Sequence, residues 1–269
     1  MDINFITNIH RIIQLRKMNL EKRLEGKKIF ISGAGSGLGK AIALRFAREG
    51  ADIAINDINE ENANNTKTEV EKLGQKSIVF IGDVSDSSSV KNMVKTYYKE
   101  WDTLDVLVNN AGVGATASKI MSMKEEAFDH IININIKSVF LMSKWFSKKM
   151  RKRKTADDQL RGKIINMSSM RGLRGRDNFG AYSVSKAGVL SLTQTLSIEL
   201  GKYRITVNAI CPGLIHTPIY GPISYEDLAS MSEPICLTHK PVGHPEDVAG
   251  VAFFLASSDS DWITGQYVP

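Results

Sequence analysis

Tyr182 and Lys186 stand four residues apart, and Ala187 to Leu200 after them has helical periodicity. On a helix that spacing stacks two side chains one turn apart on a single face. A phenol ordinarily loses its proton near pH ~10, which makes it a poor acid or base at neutrality. An ammonium group beside it favours the phenolate, as does a cationic cofactor ring. Bringing such a pKa down to about 7 takes roughly 4 kcal/mol of differential stabilisation. One fixed lysine and a second positive charge in a dry site can supply that. Ser169 lies thirteen residues before Tyr182, just after the apolar run Lys163 to Met167, which reads as a strand. A hydroxyl at a strand end can reach a substrate oxygen that the tyrosine also holds. Tyr-x-x-x-Lys alone also recurs in surface helices that do no chemistry, so the reading depends on a cofactor site elsewhere in the chain.

The stretch Lys28 to Asp57 supplies such a site. A short strand pattern, Lys28 to Ser32, runs into Gly33-Ala34-Gly35-Ser36-Gly37-Leu38-Gly39 and then an amphipathic helix, Lys40 to Glu49. Gly33, Gly37 and Gly39 fit G-x-x-x-G-x-G between strand and helix, where a nucleotide's phosphates can approach bare backbone and a helix N-terminus. A glycine-rich turn with no ligand is the plainer alternative. A second strand, Asp52 to Asn56, ends at Asp57, eighteen residues past the last glycine of the turn. An acid there can accept from both ribose hydroxyls and repels a 2′-phosphate. Neither Ser36 nor Ile58 offers a compensating cation, so NAD is favoured over NADP. The structural alternative is an Asp that merely ends a strand or caps the helix starting near Asn59.

The same alternation continues along the chain. A helix through Leu73 precedes the strand Ser77 to Ile81, closed by Gly82-Asp83-Val84, where Asp83 can accept from an adenine amino group with Val84 against the ring. After a helix from Asp86 to Glu100, the strand Asp105 to Val108 opens into Asn109-Asn110-Ala111-Gly112. Those residues can hold the strand ends together and let a cofactor pass. The helical region Lys124 to Lys154 is interrupted around Asn133-Ile134-Asn135, and a polar residue at such a break can bind a buried water. Asn135 taken alone reads better as a solvent-facing residue. The strand Arg204 to Ile210 ends at Cys211-Pro212-Gly213-Leu214-Ile215-His216-Thr217, where Thr217 can bond a nicotinamide amide and His216 reads as pocket wall. Residues 214–244, with a short helix near Tyr225 to Met231, read as a substrate loop. A last helix spans Pro245 to Ser257. Strands alternating with amphipathic helices imply an α/β fold, a parallel sheet with helices on both faces. Ligands of such sheets bind along the C-terminal strand edge, where these motifs converge.

The 269 residues suit one large domain, 26–269, preceded by a basic amphipathic extension, 1–25. In that extension Phe5, Ile6, Ile9, Ile12 and Ile13 form a helical stripe that could dock on the protein, on a second subunit or at a membrane interface. The net charge of +6 divides unevenly: residues 1–27 carry +3, residues 148–163 carry +6, and the remainder is mildly acidic. That distribution argues against a nucleic-acid module. The run Lys148 to Lys154 reads as a solvated helix end rather than a polyanion patch. Cys211 and Cys236 form no metal-type pattern, so no metal is expected and a reducing cytoplasm is the default. Near the end of the chain the longest apolar run, Val248 to Ala256, is nine residues and too short to span a bilayer.

Taken together, residues 24–268 resemble the short-chain dehydrogenase/reductase family in its shorter form. The likeness rests on S-G-A-G-S-G-L-G, G-D-V, N-N-A-G, the Asn of I-N-I-N-I, the Ser169-Tyr182-Lys186 spacing and C-P-G-L-I-H-T-P. It implies a single-domain Rossmann-type sheet of seven strands and a catalytic tetrad of Asn135, Ser169, Tyr182 and Lys186. The cofactor contacts then fall on Gly33, Ser36, Gly37, Leu38, Gly39, Asp57, Asp83, Val84, Asn110, Ala111, Gly112, Tyr182, Lys186, Pro212, Gly213, Ile215 and Thr217. The expected chemistry is interconversion of a small-molecule alcohol and ketone, with Asn135 positioning a water between Lys186 and solvent. Homodimers or homotetramers are implied, through Lys124–Lys154 and Tyr182–Gly201. A 3-oxoacyl-(acyl-carrier-protein) reductase using NADPH is the rival enzyme, with the basic 148–163 stretch meeting an acidic carrier. An idle NAD-binding sensor or scaffold is the rival of another class. Arg171 and Arg174, close behind Ser169, suit a carboxylate- or phosphate-bearing substrate, or are solvated loop residues. The sequence departs from the family in its N-terminal extension, its basic loop from Lys152 to Arg161, and its end at Val268-Pro269, where relatives continue with Asp-Gly-Gly.

Overall fold

The structure, a computed structural model, describes residues 22–114, 117–230 and 241–269. The stripe of residues 5–13, Cys236 and part of the 214–244 loop lie outside the described residues. Seven parallel strands form one sheet: β1 (Lys28–Ser32), β2 (Asp52–Asp57), β3 (Ser77–Ile81), β4 (Val106–Asn109), β5 (Gly162–Met167), β6 (Ile205–Ile210) and β7 (Tyr267–Val268). Their order is β3-β2-β1-β4-β5-β6-β7, with Lys28 paired to Asp52 and Val106 to Lys163. The central strands β4, β5 and β6 are buried along their whole length. That explains their continuous apolar character: a parallel sheet covered on both faces has no wet side.

The alternation of side chains along β1 sorts the core into two layers. Ile29 and Ile31 face a layer with Ile53, Ile55, Val106 and Val108, covered by α1 (Gly37–Arg48), α2 (Glu60–Lys72) and α9 (Pro245–Ala256). Phe30 faces the other way, towards Phe80, Tyr97, Leu107, Phe146 and Ile164, beneath α3 (Ser87–Glu100), α5 (Ser138–Met150) and α7 (Gly180–Gly201). Its ring centroid lies 4.9 Å from that of Phe146 and 5.4 Å from that of Phe80. The Tyr97 hydroxyl, whose pKa burial drives well above the usual phenol range, donates to the Thr103 carbonyl at 2.8 Å.

The expected long helix is three pieces. Between α4 (Glu125–Ile132) and α5 stands a π-helical segment, Asn133–Lys137. An extra residue per turn reorients the side chains that follow, and such bulges occur disproportionately at functional sites. The first helix starts at Gly37, three residues earlier than the apolar pattern suggests, because the glycine turn itself supplies its first residues. Short helices α6 (Met170–Leu173) and α8 (Tyr225–Ser230) complete the described elements.

The basic stretch 148–163 lies at the N-terminal edge of the sheet. Arg153 pairs with Asp105 at 2.8 Å, Asp105 also accepts from the Lys28 main chain at 2.8 Å, and Arg161 N–H donates to the Arg204 carbonyl at 2.8 Å. The lysines before it lie over aromatic rings: Lys148 Nζ is 4.4 Å from the Trp145 ring centre and Lys149 Nζ is 5.7 Å from that of Tyr98. Among the described residues no helix is long and apolar enough to cross a membrane.

Phe30 is fully buried at the junction of three rings. Phe30→Ala is expected to lower stability by about 3–5 kcal/mol, the usual cost of emptying an aromatic core position. The midpoint of a denaturant titration measures it; a shift worth under about 1 kcal/mol means that the layers do not depend on this ring.

Candidate active site

Strand β5 ends in Met167, and the chain turns through Ser168 and Ser169 into α6. Ser169 caps that turn, its Oγ accepting from the Arg171 N–H at 3.1 Å. Tyr182 and Lys186 follow on the first two turns of α7. The side chain of Lys186 folds back on β5, where Nζ donates to the Met167 carbonyl at 2.9 Å. Two contacts fix the helix against the strand end. Ser168 Oγ donates to the Lys186 carbonyl at 2.8 Å, and a Cβ at Gly172 would stand 2.7 Å from the Lys186 carbonyl carbon. The Ser169 side chain is close enough to act on the Tyr182 hydroxyl, and Lys186 Nζ lies 5.7 Å from the Tyr182 ring centre.

Burial dominates the electrostatics. It raises the Tyr182 pKa above the ordinary phenol value, against which the Ser169 hydrogen bond is the smaller, lowering influence. It lowers Lys186 from 10.5 to about 8. In the chain by itself, burial thus favours the phenol form of Tyr182, and the second positive charge of the sequence reading, a cationic cofactor ring, remains part of the requirement for a phenolate. Removal of water disfavours an anion and a cation alike.

Asn135 is not solvent-facing: it is fully buried inside the π segment. Its Oδ1 accepts from Val113 N–H at 2.8 Å, and its Nδ2 donates to the Val113 carbonyl and to Ser185 Oγ, both at 3.1 Å. Ser185 Oγ in turn donates to the Tyr182 carbonyl at 2.7 Å. A Cβ at Gly112 would lie 3.1 Å from Asn135 Oδ1 and 3.4 Å from Lys186 Nζ, which places these two groups side by side beneath the chain that leaves β4. The side chain of Asn135 thus ties α7 to the 111–113 segment. Val113, Met167 and Ser185 carry this geometry without any motif of their own; Ser185 alone had a signal, being the residue three places along the helix from Tyr182.

The glycine turn has the form a dinucleotide needs. Gly33 and Gly37 have φ of +63° and +54°, left-handed values that side-chain-bearing residues rarely adopt. A Cβ at Gly39 would overlap the Gly33 carbonyl, so helix and strand approach here as only glycine allows. No side chain caps the helix at Ser36, and its first turn holds no acid, leaving a positive helix end open to an anion. Asp57 accepts from Gly35 N–H at 2.8 Å and from Asn59 N–H at 3.0 Å. A carboxylate has about four acceptor positions, so two remain for a ribose diol. The cap of α2 is Asn59, not Asp57.

Asn110 joins the strand ends, its Nδ2 donating to the carbonyls of Ser32 at 3.0 Å and Gly33 at 2.9 Å, with Ala111 N–H on Ser32 Oγ at 3.1 Å. Asp83 is exposed and accepts from Ser85 N–H and Oγ at 2.7 and 2.9 Å, beside the buried Val84. Pro212 accepts from Met170 N–H at 3.0 Å, and Ile215 pairs with Gly243. Thr217 lies over the glycine turn: a Cβ at Gly37 would meet its Cβ at 3.7 Å and Pro218 Cδ at 3.6 Å. Leu38 packs against the core of the α1 face, and Gly213 is exposed. His216 Nε2 lies 3.0 Å from the Ile223 carbonyl, and Tyr225 stacks on His244 at 5.3 Å, so His216 is loop wall as expected.

A parallel sheet in this strand order, with a glycine turn at the β1 edge and a Ser-Tyr-Lys group at the β5 edge, defines a nucleotide-dependent oxidoreductase fold. A family model described as enoyl-(acyl carrier protein) reductase matches residues 33–269. The 3-oxoacyl-[acyl-carrier-protein] reductase of Thermotoga maritima is 39% identical, over 91% of this chain and 96% of its own. Carveol dehydrogenase from Mycobacterium avium, solved in complex with NAD, superposes with a TM-score of 0.84 at 29% identity, covering 92% of this chain and 96% of that one. A 3-ketoacyl-(acyl-carrier-protein) reductase from Brucella melitensis, complexed with NADH, gives 0.82 at 30%, over 91% and 96%. The chain belongs to the short-chain dehydrogenase/reductase family, oxidoreductases whose fold binds NAD(H) or NADP(H).

Lys186 carries a pH signature. Between about pH 8 and 10.5 the folded chain has released the Lys186 proton while the unfolded chain still holds it. The unfolded state then binds more protons, so this residue's contribution to stability rises with pH across that window and is flat below it. In thermal melts of wild type and Lys186→Met, the wild type is expected to gain on the variant from pH 8 to 10.5. A difference that stays constant across the window means that Lys186 is not desolvated.

Proposed function

We propose that the protein interconverts a secondary alcohol and a ketone with NAD(H), Tyr182 serving as the acid/base. The carrying observation is the grouping of Ser169, Tyr182 and a buried Lys186 held on the Met167 carbonyl, at the strand edge that the glycine turn also faces. When bound, the cofactor supplies or accepts the hydride. Ser169 Oγ and the Tyr182 hydroxyl hold the substrate oxygen between them. Tyr182 gives that oxygen a proton in reduction and takes it back in oxidation. Lys186, with a pKa near 8, replenishes the proton and holds the ribose next to the nicotinamide. Asn135 keeps α7 and the 111–113 segment in register and positions a water on the way to solvent. Asp57, with two free acceptor positions, favours NAD over NADP.

The residues around His216, Tyr225 and His244 form the wall of a substrate loop over this edge. Phe140, Val184 and Ile198 on α5 and α7 are 44%, 54% and 81% exposed. Apolar exposure on these two helices supports a homodimer or homotetramer through them. Cys211, a free and buried thiol, accords with a reducing cytoplasm.

The carrier-protein reductase reading has the 39% identity to the Thermotoga maritima enzyme in its favour. Two observations weigh against it. Asp57 puts a carboxylate at the end of β2, where an acid would repel a 2′-phosphate. The basic stretch that was to meet an acidic carrier sits at the N-terminal strand edge, opposite to Tyr182.

Tyr182→Phe is expected to bind NADH as wild type does and to lose turnover by about a hundredfold or more, the lower range for general acid catalysis. Tight binding by the wild type with no turnover of any carbonyl would instead mark an idle NAD-binding protein. At matched concentrations NADH is expected to support at least about tenfold greater kcat/KM than NADPH, with Asp57→Ala narrowing the gap. A preference for NADPH favours the carrier-protein reductase.

A further inference from the structure

The glycine turn is held by more than its own glycines. Gly35, between the left-handed Gly33 and Gly37, is buried and has no room for a side chain. A Cβ there would stand 2.7 Å from Asp57 Oδ2 and 2.9 Å from Asn62 Cβ. Its main-chain groups are gripped from two elements. The N–H donates to Asp57 Oδ2 at 2.8 Å, and the carbonyl accepts from Thr66 Oγ1 at 3.3 Å. Asp57 ends β2, whereas Thr66 lies fully buried on the inner face of α2. The Thr66 hydroxyl hydrogen is shared with the Asn62 carbonyl one turn earlier, at 3.1 Å. That second bond is an ordinary one for a threonine in a helix and by itself says nothing about a site. The bond to Gly35 is not local: it spans 31 positions and joins α2 to the turn between β1 and α1. Asn59, the cap of α2, also donates its N–H to Asp57 Oδ1 at 3.0 Å. The start of α2 therefore holds both the carboxylate and the turn beside it.

We propose that Thr66 is a positioning residue for the dinucleotide, holding the Gly35 carbonyl so that the main-chain donors of the glycine turn stay aimed at the phosphates. This rests on the cofactor reading above and not on the reaction assigned to Tyr182. The N–H and the carbonyl of Gly35 belong to the two peptide planes on either side of its α-carbon. Bonds to both fix the φ and ψ of a residue that is otherwise among the freest in the chain. The second of those planes also contains the Ser36 N–H. In a trans peptide that N–H points opposite to the carbonyl, away from Thr66 and out of the buried face. Next to it begins α1, whose first turn carries neither a side-chain cap nor an acid. An anion site built from main-chain donors works while those donors keep their direction. Packing alone asks for no hydroxyl at a fully buried helix position.

The test reads binding without turnover. Full-length protein is titrated calorimetrically with NADH and with ADP-ribose, which keeps the adenosine, both phosphates and the second ribose but carries no nicotinamide. Thr66→Val is expected to bind each ligand about tenfold more weakly than wild type, the loss that follows from one buried hydrogen bond. Thr66→Ser, which keeps the hydroxyl, stays within about threefold of wild type. In steady state Thr66→Val raises the KM for NADH and leaves kcat within about twofold, as loss of binding common to ground and transition states does. Should Thr66→Val not fold, Thr66→Ala takes its place with the same expectations. A folded variant with wild-type affinity for ADP-ribose overturns the proposal, even if its melting temperature falls, because the hydroxyl then serves α2 alone. A loss that Thr66→Ser shares in full overturns it as well. Wild type that binds no dinucleotide overturns the cofactor reading together with this proposal. Wild type that binds NADH and turns over no carbonyl removes the role given to Tyr182 and leaves that of Thr66 to the comparison of affinities, which decides it either way.

Discussion

The site depends on keeping a lysine ammonium almost out of water. Lys186 is 4% exposed, and its amine donates to a single main-chain carbonyl, that of Met167. Leaving bulk water disfavours the charged form of an amine, which is why its pKa falls to about 8. The group stays where it is because its backbone is held from several sides. Ser168 grips its carbonyl, Gly172 lets the preceding turn close on it, and Asn135 with Ser185 anchors the turn of helix that carries Tyr182.

Burial shifts the two side chains in opposite directions along the pH scale but towards the same outcome, the uncharged form. The phenol of Tyr182 becomes a weaker acid and the ammonium of Lys186 a stronger one. As pH rises the lysine releases its proton first. In the free protein Tyr182 therefore stays a proton donor at neutrality, the state required at the start of carbonyl reduction. Alcohol oxidation, in the proposed scheme, needs further positive charge close to the phenol, because water has been removed from around it. The direction of easier proton transfer is thus set by desolvation rather than by the attraction between the two side chains.

Much of the fold could be read from the chain because parallel strands and their covering helices impose separate periods on the sequence. Ile29, Phe30 and Ile31 show the two-sided burial of β1, and the glycines at 33, 37 and 39 mark a turn whose φ values and close approach admit nothing larger. That Ser169 after β5 meets Tyr182 and Lys186 on α7 was legible from their spacing together with the strand before them and the glycine turn elsewhere in the chain. What the chain concealed was non-local. The π segment appeared only as a break in apolar pattern, since an added residue in a helix has no residue type of its own. Asn135 looked solvent-facing because its partners, Val113 and Ser185, lie 22 and 50 positions away. The shift of Tyr182 could not be foreseen either: a neighbouring charge is visible in sequence, whereas the water excluded from it is not.

Charge gives the same lesson about place over number. The densest basic stretch, 148–163, drew attention as a possible docking surface, yet α5 runs from the C-terminal edge of the sheet back to its N-terminal edge before that stretch begins. There Arg153 meets Asp105, Arg161 donates to the Arg151 carbonyl, and Lys148 lies over the ring of Trp145. Arg171, on α6, and Arg176, in the segment that follows it, lie instead near the edge where Asn110, Thr217 and Tyr182 converge. A parallel sheet separates its two ends by the full length of its strands, some six residues or roughly 20 Å at about 3.3 Å each. Over such a distance in salt, exposed charge is screened to little effect. The charge at one edge therefore says little about the other, and the net charge of the chain does not report on the site.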